Sequence, residues 1–279
     1  MGVGVKKIND DTYRLSDTLL GVGQYLLKGR ERALLIDTGY GKEKFRHIVQ
    51  TLCDGLPLDV VNTHMHPDHS KGNGMFGKVY IASADMPSAG LPSNALFGGI
   101  YDAVTEAHPL SKCVMNAAAK LALIQENDGA EYEPLPDGFE LGGRRVDVIP
   151  CAGHTPGSVV FSDSATRAVF VGDAVNQSFW LFTGSGVSAA EYADTLEGVK
   201  ARLKDREKIY VAHSAKPLGI DFFDTFIAHL CDIKSSNCRK YNIPGMLEPL
   251  LVSKFEGGRY ASVVLLYASQ TADADKGRV

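Results

Sequence analysis

Thr63-His64-Met65-His66-Pro67-Asp68-His69-Ser70-Lys71-Gly72 places four potential metal ligands, His64, His66, Asp68 and His69, within six residues. Imidazole and carboxylate groups suit zinc, iron and manganese. A lone histidine is commonly an ordinary surface or core residue. Three histidines and an aspartate this close are harder to place that way, because each buried imidazole needs a hydrogen-bond partner. The preceding Leu58-Asp59-Val60-Val61-Asn62 is rich in β-branched residues and predicts a short strand. The cluster is therefore expected where a strand gives way to a loop, with Pro67 opposing a regular helix. In a loop the four side chains need not share one face. These residues alone leave one metal or two open.

Working outward, the same arrangement recurs. Ala33-Leu34-Leu35-Ile36 is an apolar run that ends at Asp37. A carboxylate directly after a buried strand must be paired or exposed, and one role for it is to orient a metal-binding imidazole. Arg145 to Ile149 runs into Pro150-Cys151-Ala152-Gly153-His154, Ala168-Val169-Phe170-Val171 into Gly172-Asp173, and Ile209-Tyr210-Val211-Ala212 into His213. Ligand sites in open α/β sheets gather at the carboxyl ends of strands. Seven candidate ligands thus converge on one rim: His64, His66, Asp68, His69, His154, Asp173 and His213.

Between these points, Lys28-Gly29-Arg30-Glu31 and Gly142-Gly143 predict hairpin turns. Glu43 to Leu52 has helical spacing, as do Glu191 to Leu203 and, with less regularity, residues 222–238. Gly21-Val22-Gly23 lacks the third glycine of a nucleotide fingerprint and is read as a turn. Residues 84–135 are rich in small residues and predict a helical insertion, serving either as plain packing or as a lid over the site. Phe179-Trp180-Leu181-Phe182 follows Asp173 closely. Phe179 and Trp180 are read as either core or an apolar wall of a substrate pocket. Tyr260 to Tyr267 predicts a terminal strand, and His108 and His229 fall outside the ligand pattern.

The bulk properties narrow the class. The chain has 279 residues, 44% hydrophobic and 22% charged, which suits a globular protein with a sizeable core. A net charge of -4 argues against constitutive nucleic-acid binding. Five dispersed cysteines are no disulfide framework and are expected to be small buried or half-buried residues in a reducing compartment. The sequence shows no signal-peptide pattern and no run of the roughly 20 apolar residues that a membrane span needs. A cytoplasmic location and a small-molecule substrate, with no nucleic-acid or membrane partner, are expected. The sequence says nothing of oligomeric state.

The ordered set His64-x-His66-x-Asp68-His69, His154, Asp173, His213 resembles the metallo-β-lactamase-fold hydrolase superfamily over roughly residues 12 to 215. The resemblance implies an α/β fold, a four-layer αβ/βα sandwich of two mixed sheets with outer helices, formed here as one domain over residues 1–279. It implies a binuclear centre in which His64, His66 and His154 hold one divalent ion, Asp68, His69 and His213 hold the other, and Asp173 bridges them. Zinc is the first expectation, with iron or manganese as alternatives. Asp37 matches the aspartate that supports a metal-bound histidine from behind, and Ser158 is a weaker candidate for a hydrogen bond near the site. Asp173 places the chain near the glyoxalase II, lactonase and ribonuclease Z side of the superfamily. The implied activity is hydrolysis of a small ester, thioester or lactone by a metal-bridging hydroxide, with Asp68 handling protons. The terminal strand at 260–267 departs from the helical substrate domain of glyoxalase II. A persulfide dioxygenase with one iron and a phosphodiesterase or nuclease are the alternatives.

Overall fold

Strand segments that are apolar at every position must be covered on both faces. Ala33–Ile36 and Ala168–Gly172 are buried throughout. The computed structural model describes residues 2–17, 21–41, 43–86, 129–181, 187–234, 237–241, 250–257 and 260–267. In chain order its strands are β1 (Val3–Asn9), β2 (Thr12–Asp17), β3 (Gly23–Lys28), β4 (Ala33–Ile36), β5 (Leu58–Val61), β6 (Lys78–Ile81), β7 (Glu131–Pro134), β8 (Gly138–Glu140) and β9 (Arg145–Pro150). They continue as β10 (Val159–Asp163), β11 (Ala168–Gly172), β12 (Ser178–Leu181), β13 (Lys208–Val211), β14 (Leu218–Gly219), β15 (Arg239–Tyr241), β16 (Leu250–Gly257) and β17 (Tyr260–Tyr267). The helices are α1 (Phe45–Cys53), α2 (Pro67–Ser70), α3 (Ala189–Ala201) and α4 (Phe222–Asp232).

The first sheet runs β1 to β7 in chain order, and the second runs β14-β13-β11-β10-β9-β8. Both are mixed. In the first, β4, β5 and β6 are parallel neighbours and β1 to β4 are antiparallel. In the second, only the β11–β13 pair is parallel. The alternation of side chains along each strand makes the layers. Leu34 and Ile36 face the second sheet and pack with Val146, Phe161 and Phe170. Leu35 faces away and packs with Phe45 and Val49 of α1. Phe170 faces the first sheet, and Val169 and Val171 face Tyr192, Leu196, Phe222 and Phe226 of α3 and α4. The order is helix, sheet, sheet, helices.

Local signals account for the joints. Gly142 and Gly143 turn the β8–β9 hairpin with φ of 85° and 76°, a region open to glycine. Helix α3 begins with a capping box: the Ser188 hydroxyl accepts from the Glu191 amide, and the Glu191 carboxylate accepts from the Ser188 amide. Away from the strand ends that carry the candidate ligands, buried Arg144 ties the two sheets. Its guanidinium donates to both Asp163 oxygens, to the Thr12 hydroxyl, and to the carbonyls of Asp11 and Lys28.

Three expectations change. The predicted insertion at 84–135 ends too late, because Glu131–Pro134 forms β7, an edge strand paired in parallel with β6. Residues 87–128, including His108 and the helix expected near Cys113, lie outside the described residues. Pro67 does not prevent a helix: it occupies the first position of the single turn α2, where its missing N–H costs nothing. Cys231 is exposed on α4, not buried, whereas Cys53 and Cys151 are buried and Cys238 is intermediate; none of the four is in a disulfide. Strand β17 confirms the expected terminal strand. It pairs with β12 and β16, which with β15 make a third sheet the sequence did not suggest. No helix among the described residues is long and apolar enough to cross a membrane.

His229, on α4, is buried, with Nε2 3.0 Å from the Ser253 hydroxyl of β16. Burial pushes its pKa down to about 4. The unfolded chain therefore takes up a proton first as pH falls below the ordinary histidine value of about 6.5. The stability due to neutral His229 is complete above that value and is lost as pH falls toward the folded-state value. Between pH 7.5 and 4.5, wild type is expected to lose roughly 2–3 kcal/mol more than His229→Gln. Denaturant titrations of both proteins at the two pH values check this, and parallel losses would dismiss it.

Candidate metal centre

The site lies where strands of both large sheets end. From the first sheet come Asp37 after β4, and His64, His66, Asp68 and His69 after β5. From the second come His154 in the loop between β9 and β10, Asp173 after β11, and His213 after β13. The sheets meet closely here. Gly172 has φ of 53° and lies against the Thr63 side chain, leaving no space for a Cβ. Val159 N donates to Thr63 O at 2.9 Å, which ties the bases of the two histidine-bearing loops.

All seven predicted ligands are brought together, in two groups: His64, His66 and His154, and Asp68, His69, Asp173 and His213. Within each group the potential ligand atoms all lie within 4.8 Å of one another. Asp173 joins the groups. Its Oδ2 is 3.1 Å from His213 Nε2, 3.5 Å from His69 Nε2 and 3.9 Å from His154 Nε2. Across the first group, His66 Nδ1 and His154 Nε2 face each other at 2.9 Å.

Asp37 organises the histidines from behind. Its backbone sits at φ 65°, and its carboxylate is buried. Oδ1 accepts from Thr63 N at 2.8 Å; Oδ2 accepts from the Thr63 hydroxyl at 2.9 Å and lies 2.8 Å from His69 Nδ1. A carboxylate only accepts, so His69 carries its proton on Nδ1. The Thr63 hydroxyl, having donated to Asp37, accepts from His64 Nδ1 at 3.1 Å. One carboxylate thereby fixes a proton on Nδ1 of both rings and turns Nε2 of each into the site. Burial opposes protonation of His69, but Asp68, Asp173 and Asp37 raise its pKa well above the usual histidine range, so a cation binding at its Nε2 would take the place of a proton. His64 Nε2, His69 Nε2 and Asp173 Oδ1 are buried with no hydrogen-bond partner. Such atoms are costly unless something binds them. Nitrogen and carboxylate donors arranged this way fit divalent cations.

The two groups differ electrically. Burial, reinforced by neighbouring rings, pushes His64 and His66 well below the usual histidine range, so both are neutral near pH 7. In the second group, burial opposes ionisation of Asp68, but His69 and His213 outweigh it and hold Asp68 at about 2. His213 is raised to about 10, chiefly by Asp173. The second group is thus built to surround positive charge.

Other predicted residues are placed differently. The Ser158 hydroxyl accepts from Thr155 N at 3.0 Å and lies 2.8 Å from Thr155 Oγ1, so it closes the His154 turn and contacts no candidate ligand. Phe179 is not a pocket wall. Its ring is buried against Tyr192 and Phe226 and backs the His154 ring at 5.7 Å. The Trp180 side chain lies outside the described residues. The sequence reading missed Thr63, and also the buried trio Thr38, Asn62 and Asn73. Thr38 Oγ1 donates to Asn73 Oδ1 and Asn73 Nδ2 to Asn62 Oδ1, while Asn62 Nδ2 donates to the His69 carbonyl. Thr63 had one signal, its place between the strand and His64; the trio had none.

Comparison with known proteins agrees with this fold. The family model of the metallo-beta-lactamase superfamily matches residues 18–213. The chain belongs to that superfamily. Among curated members, it is 30% identical over 172 residues to an acyl-coenzyme A thioesterase, MBLAC2, of Gallus gallus, covering 54% of this chain and 56% of that protein. It is 29% identical over 203 residues to the atrochrysone carboxyl ACP thioesterase dmxR1 of Cryptosporiopsis sp. (strain 8999), covering 70% of this chain and 50% of that protein. The chain thus spans about half the length of these curated relatives. Among solved structures, the DIM-1 metallo-beta-lactamase aligns with a TM-score of 0.56 at 16% identity, over 82% of this chain and 96% of that one. TTHA1623 in a di-iron-bound form aligns with a TM-score of 0.52 at 22% identity, over 75% and 95%. These two likenesses concern the fold.

Proposed function

We propose that this protein is a two-metal hydrolase of small thioesters, with esters and lactones as neighbouring substrates. The observation that carries the reading is the pair of ligand groups joined by Asp173, with buried, unpartnered Nε2 atoms on His64 and His69. His64, His66 and His154 would hold one divalent cation; Asp68, His69 and His213 the other; Asp173 both. The thioester preference rests on the thioesterase names of the curated relatives. Zinc is the favoured metal and the cytoplasm the favoured location.

Bound cations would supply an activated water at neutral pH and polarisation of the substrate carbonyl. The chain's own residues do the rest. Asp37, through Thr63 and directly, presents His64 and His69 in the ligand tautomer. The Asp68 carboxylate, ionised across the neutral range and 19% exposed, is the group placed to accept a proton and return it to the leaving thiolate.

Elemental analysis of protein purified without chelator should give two divalent metals per chain. Chelation should abolish hydrolysis of short acyl-coenzyme A thioesters, and metal add-back should restore it. One iron per chain, with oxygen consumed in the presence of persulfide, would overturn the hydrolase reading. Asp68→Asn is expected to lower turnover about 100-fold, the scale of one lost general base, while both metals remain. Full activity with both metals in place would remove Asp68 from proton transfer.

A further inference from the structure

We propose that Asp85, which is no candidate ligand, is the positioning residue that sets the spacing of the three-histidine group. The inference rests on the metal reading above. Asp85 ends the short 3-10 turn Ser83–Asp85 that follows β6. Its Oδ2 accepts from Met65 N at 3.2 Å and from Thr155 Oγ1 at 2.7 Å. Its Oδ1 accepts from Gly157 N at 2.7 Å. Met65 lies between His64 and His66, and Thr155 follows His154. One carboxylate therefore straps together two loops that hang from different sheets.

The bond from Val159 N to Thr63 O joins these loops only at their bases. Asp85 joins them at the level of the histidines, where His66 Nδ1 and His154 Nε2 stand 2.9 Å apart. Gly157 is shaped to the strap. A Cβ there would meet Asp85 Cγ, Cβ and N at 2.6–2.7 Å, too close for any other residue unless Asp85 shifts, backbone included. The strap also passes through the turn. Thr155 Oγ1, donating to Asp85, accepts from the Ser158 hydroxyl, and Ser158 in turn holds Thr155 N. Asparagine cannot replace the aspartate, because its amide group would set a donor against at least one of the donors already there.

The test uses the full chain, stripped of metal and titrated with cobalt(II), followed by visible absorption. Wild type should take up two equivalents with separable spectra. Asp85→Ala and Gly157→Ala, which cut the same strap from opposite ends, should each weaken one equivalent about 10- to 100-fold, the usual scale for groups that orient ligands. The other equivalent should stay within about twofold, and Thr155→Val should give a smaller loss at the same equivalent. Arg144→Met, which removes a clamp remote from the site, should lower Tm without changing the ratio of the two affinities. Wild type binding fewer than two equivalents would overturn the binuclear reading and this inference with it. A normal wild type beside an unchanged Asp85→Ala titration, or an equal loss at both equivalents, would overturn the inference alone. If Asp85→Ala does not fold, Asp85→Asn and Thr155→Val decide it by the same criterion.

Discussion

Asp173→Asn is expected to lower thioester hydrolysis by about three orders of magnitude, a loss on the scale of a disabled two-metal centre. It should also reduce bound metal from two equivalents to one or fewer. Asp173 is the only carboxylate among the described residues with an oxygen within 4 Å of histidines of both groups. Asparagine keeps the shape and removes the charge. His213 and His69 then lose the negative partner that lies between them, and a bridging oxygen becomes either a weak amide acceptor or a donor facing imidazole nitrogens. The fold should survive. The Asp173 side chain is 14% exposed, and its described side-chain partners are the histidines of the site. Elemental analysis, turnover and the Tm of the chelated protein separate these effects. A variant with two metals and more than a tenth of wild-type activity would remove Asp173 from the bridging position.

Asp37→Asn is expected to weaken metal binding about 10- to 100-fold and to lower turnover at least as much, although Asp37 touches no substrate. The cause is a tautomer. The carboxylate only accepts, so Nδ1 of His69 and, through Thr63, Nδ1 of His64 must carry protons. An asparagine amide in the same place presents two hydrogens. If they face His69, the ring moves its proton to Nε2, the atom that should bind metal. Asn tolerates the left-handed φ of 65°, so this variant tests tautomer more than backbone. Asp37→Ala adds a strained backbone and an unpaired Thr63 amide, and should cost about 3 kcal/mol of stability as well. Cobalt titration against denaturant melts distinguishes the two variants. Normal metal binding in Asp37→Asn would end the tautomer argument.

Much of the centre was legible in the sequence because its ligands sit just past apolar strands, and apolar strands are easy to read. Asp37, Asp173 and His213 each follow a run whose side chains fill the interior. The supporting groups were not legible. Thr38, Asn62, Asn73 and Asp85 are single polar residues whose roles depend on tertiary partners, so no local pattern marks them, and Thr63 is marked only by its place between a strand and His64. Two errors had definite physical sources. Pro67 was weighed as a breaker in mid-helix, whereas at the first position of a helix it gives up nothing. Strand β7 escaped notice because Glu131-Tyr132-Glu133-Pro134 is a half-exposed edge that needs no apolar run. Phe179, read as either core or pocket wall, proves to be core for a tertiary reason. It stands next to the site in sequence, but β12 carries it into the core under α3 and α4.

Each ligand group is shared between the two large sheets, and this has a bearing on how the protein is made. His64, His66, Asp68 and His69 leave the ribosome well before the second sheet exists. At that stage the first group has two of its three members and the second two of its four, and a cation held there would be held by an incomplete grip. The sets close only when His154, Asp173 and finally His213 have emerged and β11 and β13 have docked. A complete set of ligands for either cation therefore exists only after both sheets have formed. A supply of metal that arrives early meets a nascent chain with the histidines of a site but not yet its geometry.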